Sequence, residues 1–268
     1  MTLSSMCPNA CDFEWEGCSV HHVHLAETTT TMERLREADL WQQPADVSLL
    51  TTDFQTAGRG QRGTVWEARP GVNLLFGFRF FPQSVAANEQ FLLSEALALA
   101  VIESLDPHSE GFSVKWPNDI YWHDRKICGM LLEHRLQGPQ IASTLTGIGI
   151  NVNQECFSKA LPNPISLLQI TGRHTDRATL LHDIMQHFLT IYHHLAMTPE
   201  ATRHEVGAAL HHRYMQRLYR REGFHLFRAA TGTFEARIAD ISPMGALCLE
   251  DRDGKRRTFQ FKEVSFVP

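Results

Sequence analysis

The feature that most constrains the fold is the segment FLLSEALALAVIESL, residues 91–105. It is apolar most of the way round a helix, so a helix formed here must be buried on nearly every side. The segment is too short to cross a membrane, and it carries Glu95 and Glu103. Pro107 prevents the helix from continuing. With 268 residues and 43% apolar content, the chain can supply the core that such a helix requires.

Charge and the N-terminal residues exclude several classes of protein. The net charge is −5, which argues against a nucleic-acid partner. Residues 1–20 have no apolar run, so no signal peptide is expected. The six cysteines are then expected to be reduced thiols in a cytoplasmic protein that has no membrane partner.

The N-terminal cysteines and histidines allow two interpretations. Cys7, Cys11 and Cys18 precede a short run of histidines, which hints at a metal site. No C-x-x-C pair is present, however, and incidental cysteines in a loosely ordered extension of residues 1–20 are the simpler interpretation.

Alternation and capping patterns predict a mixed set of elements. Strands are predicted over 47–54, 73–81, 112–116, 120–122, 126–133 and 143–153, and helices over 32–40, 88–105, 176–195 and 199–221. This pattern favours an α+β fold around a mixed α/β sheet. The sequence character changes at Gly223, after which short alternating segments predict a small β-barrel. The predicted domains are therefore 1–222 and 223–268.

The loop TAGRGQRG, residues 56–63, contains the pattern G-x-G-x-x-G. The helix and the acidic residue that a dinucleotide-binding site requires do not follow it, so NAD binding is not expected. Three glycines can turn backbone N–H groups inward, and Arg59 and Arg62 add planar donors suited to carboxylate or phosphate. The alternative is an ordinary glycine-rich hairpin with solvated arginines.

A second group of polar residues is KWPND, residues 115–119, followed by Lys126. Lysine provides a compact positive charge for a transferring phosphoryl group, and Asp119 could hold Mg²⁺. Gly129 would allow a ligand to approach its strand closely. The alternative is that Lys115 is an ordinary surface lysine and that Asn118 and Asp119 are turn residues after a proline.

A third element is TGIGINVN, residues 146–153. Gly147 and Gly149 weaken a strand unless some group must approach its backbone. Asn151 and Asn153 could donate to a ligand, or could simply end the strand.

The order and wording of QTAGRGQRG, KWPNDIY, KICGMLLE and GIGINVN resemble the biotin–protein ligases, from about residue 22 to residue 268. The resemblance implies a catalytic domain related to class II aminoacyl-tRNA synthetases and an SH3-like C-terminal domain. It also implies ATP-dependent ligation of biotin, with Mg²⁺, to a lysine of a biotin carboxyl carrier protein through biotinyl-5′-AMP.

The resemblance also assigns roles to individual residues. Arg59 and Lys126 match the catalytic cations that hold the biotin carboxylate and the α-phosphate. The expected biotin contacts are Thr30, Thr31, Met32, Gln55, Arg59, Gly60, Gln61, Lys126 and Gly129. The expected contacts to ATP or the adenylate are Arg62, Trp66, Lys115, Asn118, Asp119 and Asn151. Met32 stands where the family has asparagine, and Gln61 stands where it often has arginine.

The segment before the catalytic region is too short for the DNA-binding winged helix of some family members, so a monofunctional enzyme is expected. The sequence leaves a homodimer open. One alternative is a lipoate–protein ligase, which has the same fold and the same two-step chemistry. The other is a non-catalytic protein that only senses biotin.

Overall fold

The structure is a computed structural model that describes residues 10–15, 17–37, 45–60 and 65–267. Its strands are β1 (Ala10–Trp15), β2 (Cys18–Thr28), β3 (Val47–Gln55), β4 (Leu74–Phe80), β5 (Phe112–Lys115), β6 (Asp119–Trp122), β7 (Arg125–Gln137), β8 (Gln140–Ile150), β9 (His225–Ala229), β10 (Gly232–Ile241), β11 (Leu247–Glu250), β12 (Arg256–Phe259) and β13 (Val264–Phe266). Its helices are α1 (Thr31–Arg36), α2 (Phe91–Leu105), α3 (Leu167–Thr171), α4 (Arg177–Met197) and α5 (Glu200–Gln216).

The strands form two sheets. The larger has eight strands in the order β1-β2-β3-β4-β8-β7-β6-β5, in which β2 and β3 pair in parallel and the other neighbours are antiparallel. The smaller is an antiparallel sheet in the order β12-β11-β10-β9-β13. The expected α+β fold around a mixed sheet is therefore confirmed.

The buried helix that the sequence predicts is α2. Its side chains from Leu93 to Leu105 are mostly inaccessible to solvent, and even Glu95 is only 1% exposed. The helix packs against α4 and α5, and α4 in turn covers the phenylalanines of β4, where Phe78 and Phe188 have ring centroids 4.9 Å apart. One face of the larger sheet is thus sealed by helices, which leaves its opposite face for a site.

The expectation of a loosely ordered extension through residue 20 is wrong for its described part. β1 and the start of β2 form an antiparallel hairpin, in which Phe13 lies opposite Val20. Trp15 packs against the ring of His182 on α4, with centroids 4.7 Å apart. Alternate aromatic side chains of β1 therefore add to the core. The sequence did not predict this strand because the alternation is too short among the polar residues between them.

The suggested N-terminal metal site receives no support from the described residues. Cys7 lies outside them, and Cys11 Sγ is 4.0 Å from His22 Nδ1. No group of three or more His, Cys, Asp or Glu side chains in the described ranges is placed to hold a metal ion. Instead, His22 and His24 each hydrogen-bond the hydroxyl of Thr51, at 2.9 and 3.0 Å. Burial lowers the pKa of His22 to about 4, so this ring is neutral at physiological pH.

Within the part of the chain that the structure describes, no helix has both the length and the apolar character needed to span a membrane.

The two sheets are joined by close contacts around Gly245. This residue has φ +87°, and a Cβ there would lie 2.6 Å from the ring of Phe91 at the start of α2. Its carbonyl accepts a hydrogen bond of 3.0 Å from the Trp116 indole N–H. Only glycine tolerates both the left-handed backbone and the ring contact. The smaller sheet is therefore fixed against the helical layer at this turn.

A charged bridge lies beside this contact. His211 on α5 approaches the buried carboxylate of Glu95 at 2.7 Å through Nδ1, and that of Asp240 on β10 at 3.0 Å through Nε2. The hydrogen bond to Glu95 raises the pKa of His211 to about 9, although burial opposes it. Burial also raises the pKa of Glu95. The imidazolium therefore links a core helix of the larger unit to the smaller sheet.

We expect His211→Ala to lower the free energy of unfolding by about 2–4 kcal/mol near pH 6, because it leaves the Glu95 carboxylate buried without its partner. The pKa of His211 is higher in the folded state, so its contribution is complete below about pH 6.5 and is lost as the pH rises through about 9. Urea unfolding at pH 6 and pH 9 checks both effects. The control is His212→Ala, which removes an exposed neighbouring imidazole that contacts Gln216. An unchanged pH dependence in His211→Ala would contradict this account.

Candidate active site

A cavity of about 790 Å³ lies on the face of the larger sheet that the helices α2 and α4 leave open. Its walls come from α1, the ends of the glycine loop, strands β6 to β8 and the segment leading into β13. Residues far apart in sequence therefore meet in one space.

The first wall is the segment from Thr30 to Met32. The Thr30 hydroxyl caps α1 by accepting from the Glu33 N–H at 3.0 Å, a favourable arrangement at a helix start. The Thr31 N–H donates to Gln55 Oε1 at 2.8 Å, which ties the helix start to the end of β3. These two bonds fix the backbone of all three residues at the cavity edge.

The glycine loop closes as a narrow hairpin in its described part. The Trp66 N–H donates to the Gly58 carbonyl at 2.9 Å, and Arg59 pairs with Val65 in an antiparallel bridge. Arg59 Nη1 lies 3.2 Å from Glu33 Oε1 on α1. The loop is therefore attached to the α1 wall by an ion pair. Gln61 and Arg62 lie outside the described residues.

Lys126 and Asp119 form a second ion pair, with Nζ 2.7 Å from Oδ1. Asp119 begins β6 and lies opposite Gly129 on β7, so the lysine and the carboxylate meet across adjacent strands. The Lys126 ammonium also lies 5.7 Å from the centre of the Trp66 ring. Such a placement is attractive for a cation because the face of the ring is negative.

The other polar residues of KWPND are fixed by local contacts. Lys115 Nζ donates to the Tyr121 hydroxyl at 2.9 Å and lies 5.6 Å from the ring of Phe266 on β13. The Asn118 carbonyl accepts from the Met130 N–H at 3.0 Å, and the Asn118 side chain donates to the Met130 carbonyl. The Asn118 side chain therefore helps to hold the turn through one of its N–H donors. Lys115 faces the smaller sheet.

Glycines form the floor of the cavity. Gly129 and Gly149 are register partners on β7 and β8, and the Trp66 indole lies directly on them. A Cβ at Gly149 would lie 2.4 Å from that ring, and one at Gly147 would lie 2.8 Å from Met32 Cγ. These glycines predict that some group approaches the strands closely. In the structure, that group is the protein's own Trp66 and Met32 side chains. The Trp66 Nε1–H is buried and has no hydrogen-bond partner in the described part of the chain.

The cavity brings together most of the residues that the sequence predicts. It is lined by Thr30, Thr31, Met32, Gln55, Arg59, Gly60, Trp66, Lys115, Asn118, Asp119, Lys126 and Gly129. It brings Arg59 and Lys126, which come from separate segments, to one space. Their individual roles stay predictions.

The structure does not place Asn151 in the lining. Its side chain is buried and donates to the Lys126 carbonyl at 3.5 Å, and its N–H donates to the Ile127 carbonyl at 2.9 Å. In the structure the Asn151 side chain contacts the backbone of β7, and its predicted contact to ATP stays a prediction. A buried amide satisfies its donors on the nearest carbonyls, and here those carbonyls belong to the chain.

Sequence reasoning missed the wall formed by the smaller sheet. The segment from Phe261 to Phe266 lines the cavity, as do Arg36, Glu33 and Glu133. The alternation in EVSFV predicted a strand, but no local pattern indicated which cavity it would face. The contact between the two sheets determines which cavity this strand faces.

Comparison with known proteins shows which proteins the chain is similar to. Residues 25–153 match the model of the biotin/lipoate A/B protein ligase family. The fold is similar to that of the biotin protein ligase from Aquifex aeolicus in complex with biotin and ATP, with a TM-score of 0.72 and 25% identity over 92% of this chain and 98% of that one. Both matches make the chain similar to the biotin/lipoate protein ligases.

Among individual proteins, the chain is similar to biotin protein ligases in particular. It is 28% identical to the bifunctional ligase/repressor BirA of Bacillus spizizenii and 27% identical to that of Bacillus subtilis. The matches cover 79% and 90% of this chain, and 64% and 71% of those longer proteins. It is also 35% identical, over 46% of its length, to the biotin–[acetyl-CoA-carboxylase] ligase of Paracoccus denitrificans, of which the match covers 53%.

We expect Gly149→Ala to displace the Trp66 indole, because the new methyl group would overlap a rigid ring rather than a flexible chain end. With 5-fluorotryptophan incorporated, one of five ¹⁹F resonances should shift or broaden, and stability should fall by about 1–3 kcal/mol. The control is Gly207→Ala on α5, where the added methyl group meets only Leu92 side-chain atoms at 3.2 Å or beyond. Unchanged spectra for Gly149→Ala would show that the indole does not lie on β8.

Proposed function

We propose that this chain catalyses the ATP-dependent ligation of biotin to a lysine of a biotin carboxyl carrier protein through biotinyl-5′-AMP. The observation that carries the proposal is the cavity shared by Arg59 and Lys126, each held in advance by a carboxylate from another element. Two cations fixed around one space suit a reaction that gathers negative charge on one phosphate. The biotin protein ligases to which the chain is similar support the same conclusion.

The proposed biotin subsite lies between the Thr30–Met32 segment and Gly129. The hydroxyls of Thr30 and Thr31 and the amide of Gln55 are the donors and acceptors for the polar ring of biotin. Met32 has no amide, but its side chain packs on Gly147 and shapes an apolar wall for the thioether ring and the chain. The carboxylate of biotin would then extend towards Arg59 and Gly60.

In the first step, a carboxylate oxygen of biotin attacks the α-phosphorus of ATP, and the bond to pyrophosphate breaks. Arg59 orients the carboxylate and Lys126 neutralises the charge that develops on the α-phosphate. No protein nucleophile is required. Trp66 covers the site next to Lys126, in a position to stack on the adenine and to exclude water from the mixed anhydride.

In the second step, the neutral amine of the acceptor lysine attacks the carbonyl carbon of biotinyl-AMP. The bond to the AMP oxygen breaks, AMP leaves, and the amine nitrogen loses a proton as the amide forms. Lys126 is placed to stabilise the departing AMP phosphate, as it does the α-phosphate in the first step.

The predicted Mg²⁺ fits this cavity in one way. Asp119 supplies a carboxylate oxygen, and no cluster of three or more metal-ligating side chains exists among the described residues, so Asp119 would hold the ion together with substrate phosphates. Mg²⁺ is commonly held in this way, by one or two carboxylates and phosphates. When bound, the ion would neutralise charge on the departing pyrophosphate.

We extend the proposal to the architecture. The larger sheet with its helices supports a class II aminoacyl-tRNA synthetase-like catalytic domain up to about residue 222, and the five-stranded antiparallel sheet supports an SH3-like domain from 223 to 268. Reduced cysteines support a cytoplasmic enzyme, since the described cysteines form no disulfide.

Lys126→Ala is expected to slow biotinyl-AMP formation about 100-fold or more, because it removes a preorganised donor from the charged transition state. The measurement is ATP–pyrophosphate exchange that depends on biotin. Lys159→Ala, an exposed lysine outside the cavity lining, serves as the control and should retain wild-type exchange. Near wild-type exchange in Lys126→Ala would remove this lysine from the mechanism.

Incubation of a biotin carboxyl carrier protein with ATP and either biotin or lipoate should add mass only with biotin, as seen by mass spectrometry. A lipoate adduct would favour the lipoate–protein ligase alternative. Tight biotin binding without any adduct or exchange would indicate a biotin sensor. Lys115, Asp119 and Lys126 in one cavity argue against a sensor, since biotin alone offers no phosphate for the two lysines or for an ion held by Asp119.

A further inference from the structure

The charges that line the cavity are not balanced. Its described lining holds three carboxylates, each in an ion pair: Glu33 with Arg59, Asp119 with Lys126, and Glu133 with Arg36. Two more lining cations, Lys115 and Lys262, have no carboxylate partner within ion-pair distance among the residues described. The excess positive charge therefore lies at Lys115 and Lys262, the two described lining cations without a carboxylate partner.

Both of these cations lie where the smaller sheet meets KWPND. Lys115 lies 5.6 Å from the ring of Phe266. Lys262 follows Phe261, whose ring meets that of Trp116 edge-on at 6.1 Å between centroids. The turn that carries Lys262 thus packs against the residue next to Lys115, and both lysines line the cavity.

The backbone of Lys262 has an unusual conformation. Its φ is +71°, in the left-handed region that glycine occupies at little cost and lysine does not. The adjacent Glu263 carboxylate accepts from the Gln260 N–H at 2.6 Å and so closes the turn, and it forms no ion pair with Lys262. A lysine at this position costs stability, and such residues concentrate at functional sites.

We propose that Lys262 binds the β- and γ-phosphates of ATP, and therefore the pyrophosphate that leaves in the first step. This inference rests on the proposed function, in which Arg59 and Lys126 serve the biotin carboxylate and the α-phosphate. The two remaining phosphates need donors besides the ion proposed at Asp119, and Lys262 and Lys115, the described lining cations without a carboxylate partner, supply them. The smaller sheet thereby contributes a substrate contact directly.

The test uses Lys262→Gly in the full chain, because glycine removes the charge and also relieves the left-handed backbone. In biotin-dependent ATP–pyrophosphate exchange, the KM values for ATP and for pyrophosphate should each rise about 10-fold, the loss typical of one charged hydrogen bond. Transfer of biotin from purified biotinyl-AMP to the carrier should be unchanged. Lys262→Arg should recover most of the ATP affinity, since it restores the cation.

The matched control is Lys255→Ala, which removes an exposed lysine from the same sheet outside the cavity lining. ATP and pyrophosphate KM values within twofold of wild type in Lys262→Gly would overturn the inference while leaving the proposed function intact. A raised KM for the carrier alone would also overturn it and assign Lys262 to the acceptor protein. A wild-type chain without any exchange would instead refute the proposed function, and the inference with it.

Discussion

The site depends on four glycines that leave part of one face of the larger sheet without side chains. Gly77 and Gly147 are partners on β4 and β8, and Gly149 and Gly129 are partners on β8 and β7. Added Cβ atoms would lie within 3.0 Å of Leu35, Met32 or Trp66. Because those atoms are missing, α1 and the indole approach the strands closely, and the cavity forms beside them.

The opposite face of the same strands explains why this arrangement is stable. There, Phe76, Phe78 and Phe80 of β4 are buried under α2 and α4. Apolar burial on that face provides the dominant driving force for folding. The face that carries the glycines is therefore available to bind a ligand and is not needed for the core.

Ion pairs between elements then arrange the cations of the cavity. Arg59 and Glu33 join the loop to α1, Arg36 of α1 is paired with Glu133 on β7, and Lys126 is paired with Asp119 across two strands. These pairs are partly exposed, so each adds little to stability. Their consequence is positional, since they hold charged groups from three separate segments around one space before any substrate binds.

Local sequence patterns were sufficient for most elements, though not for β1, β2 and α3, and for the segments that carry the polar residues. The apolar segment of α2, the strands predicted over 120–122 and 126–133 and the helix predicted from residue 32 all depend on residues a few positions apart, which is the range over which backbone conformation is encoded. The motifs around Arg59 and Lys126 gave the resemblance to biotin–protein ligases for the same reason. β1 was missed because Phe13 and Trp15 give too short an alternation among charged residues.

The tertiary structure alone decided which groups meet. Asn151 was directed to the backbone of Lys126 rather than to the cavity, and the glycines of β8 were covered by Trp66 and Met32 of the chain itself. The turn at Lys262 lines the cavity, although more than half of the sequence separates it from the α1 wall. Contacts of this kind follow from strand order and from the packing of two sheets, which the spacing of residues along the chain does not specify.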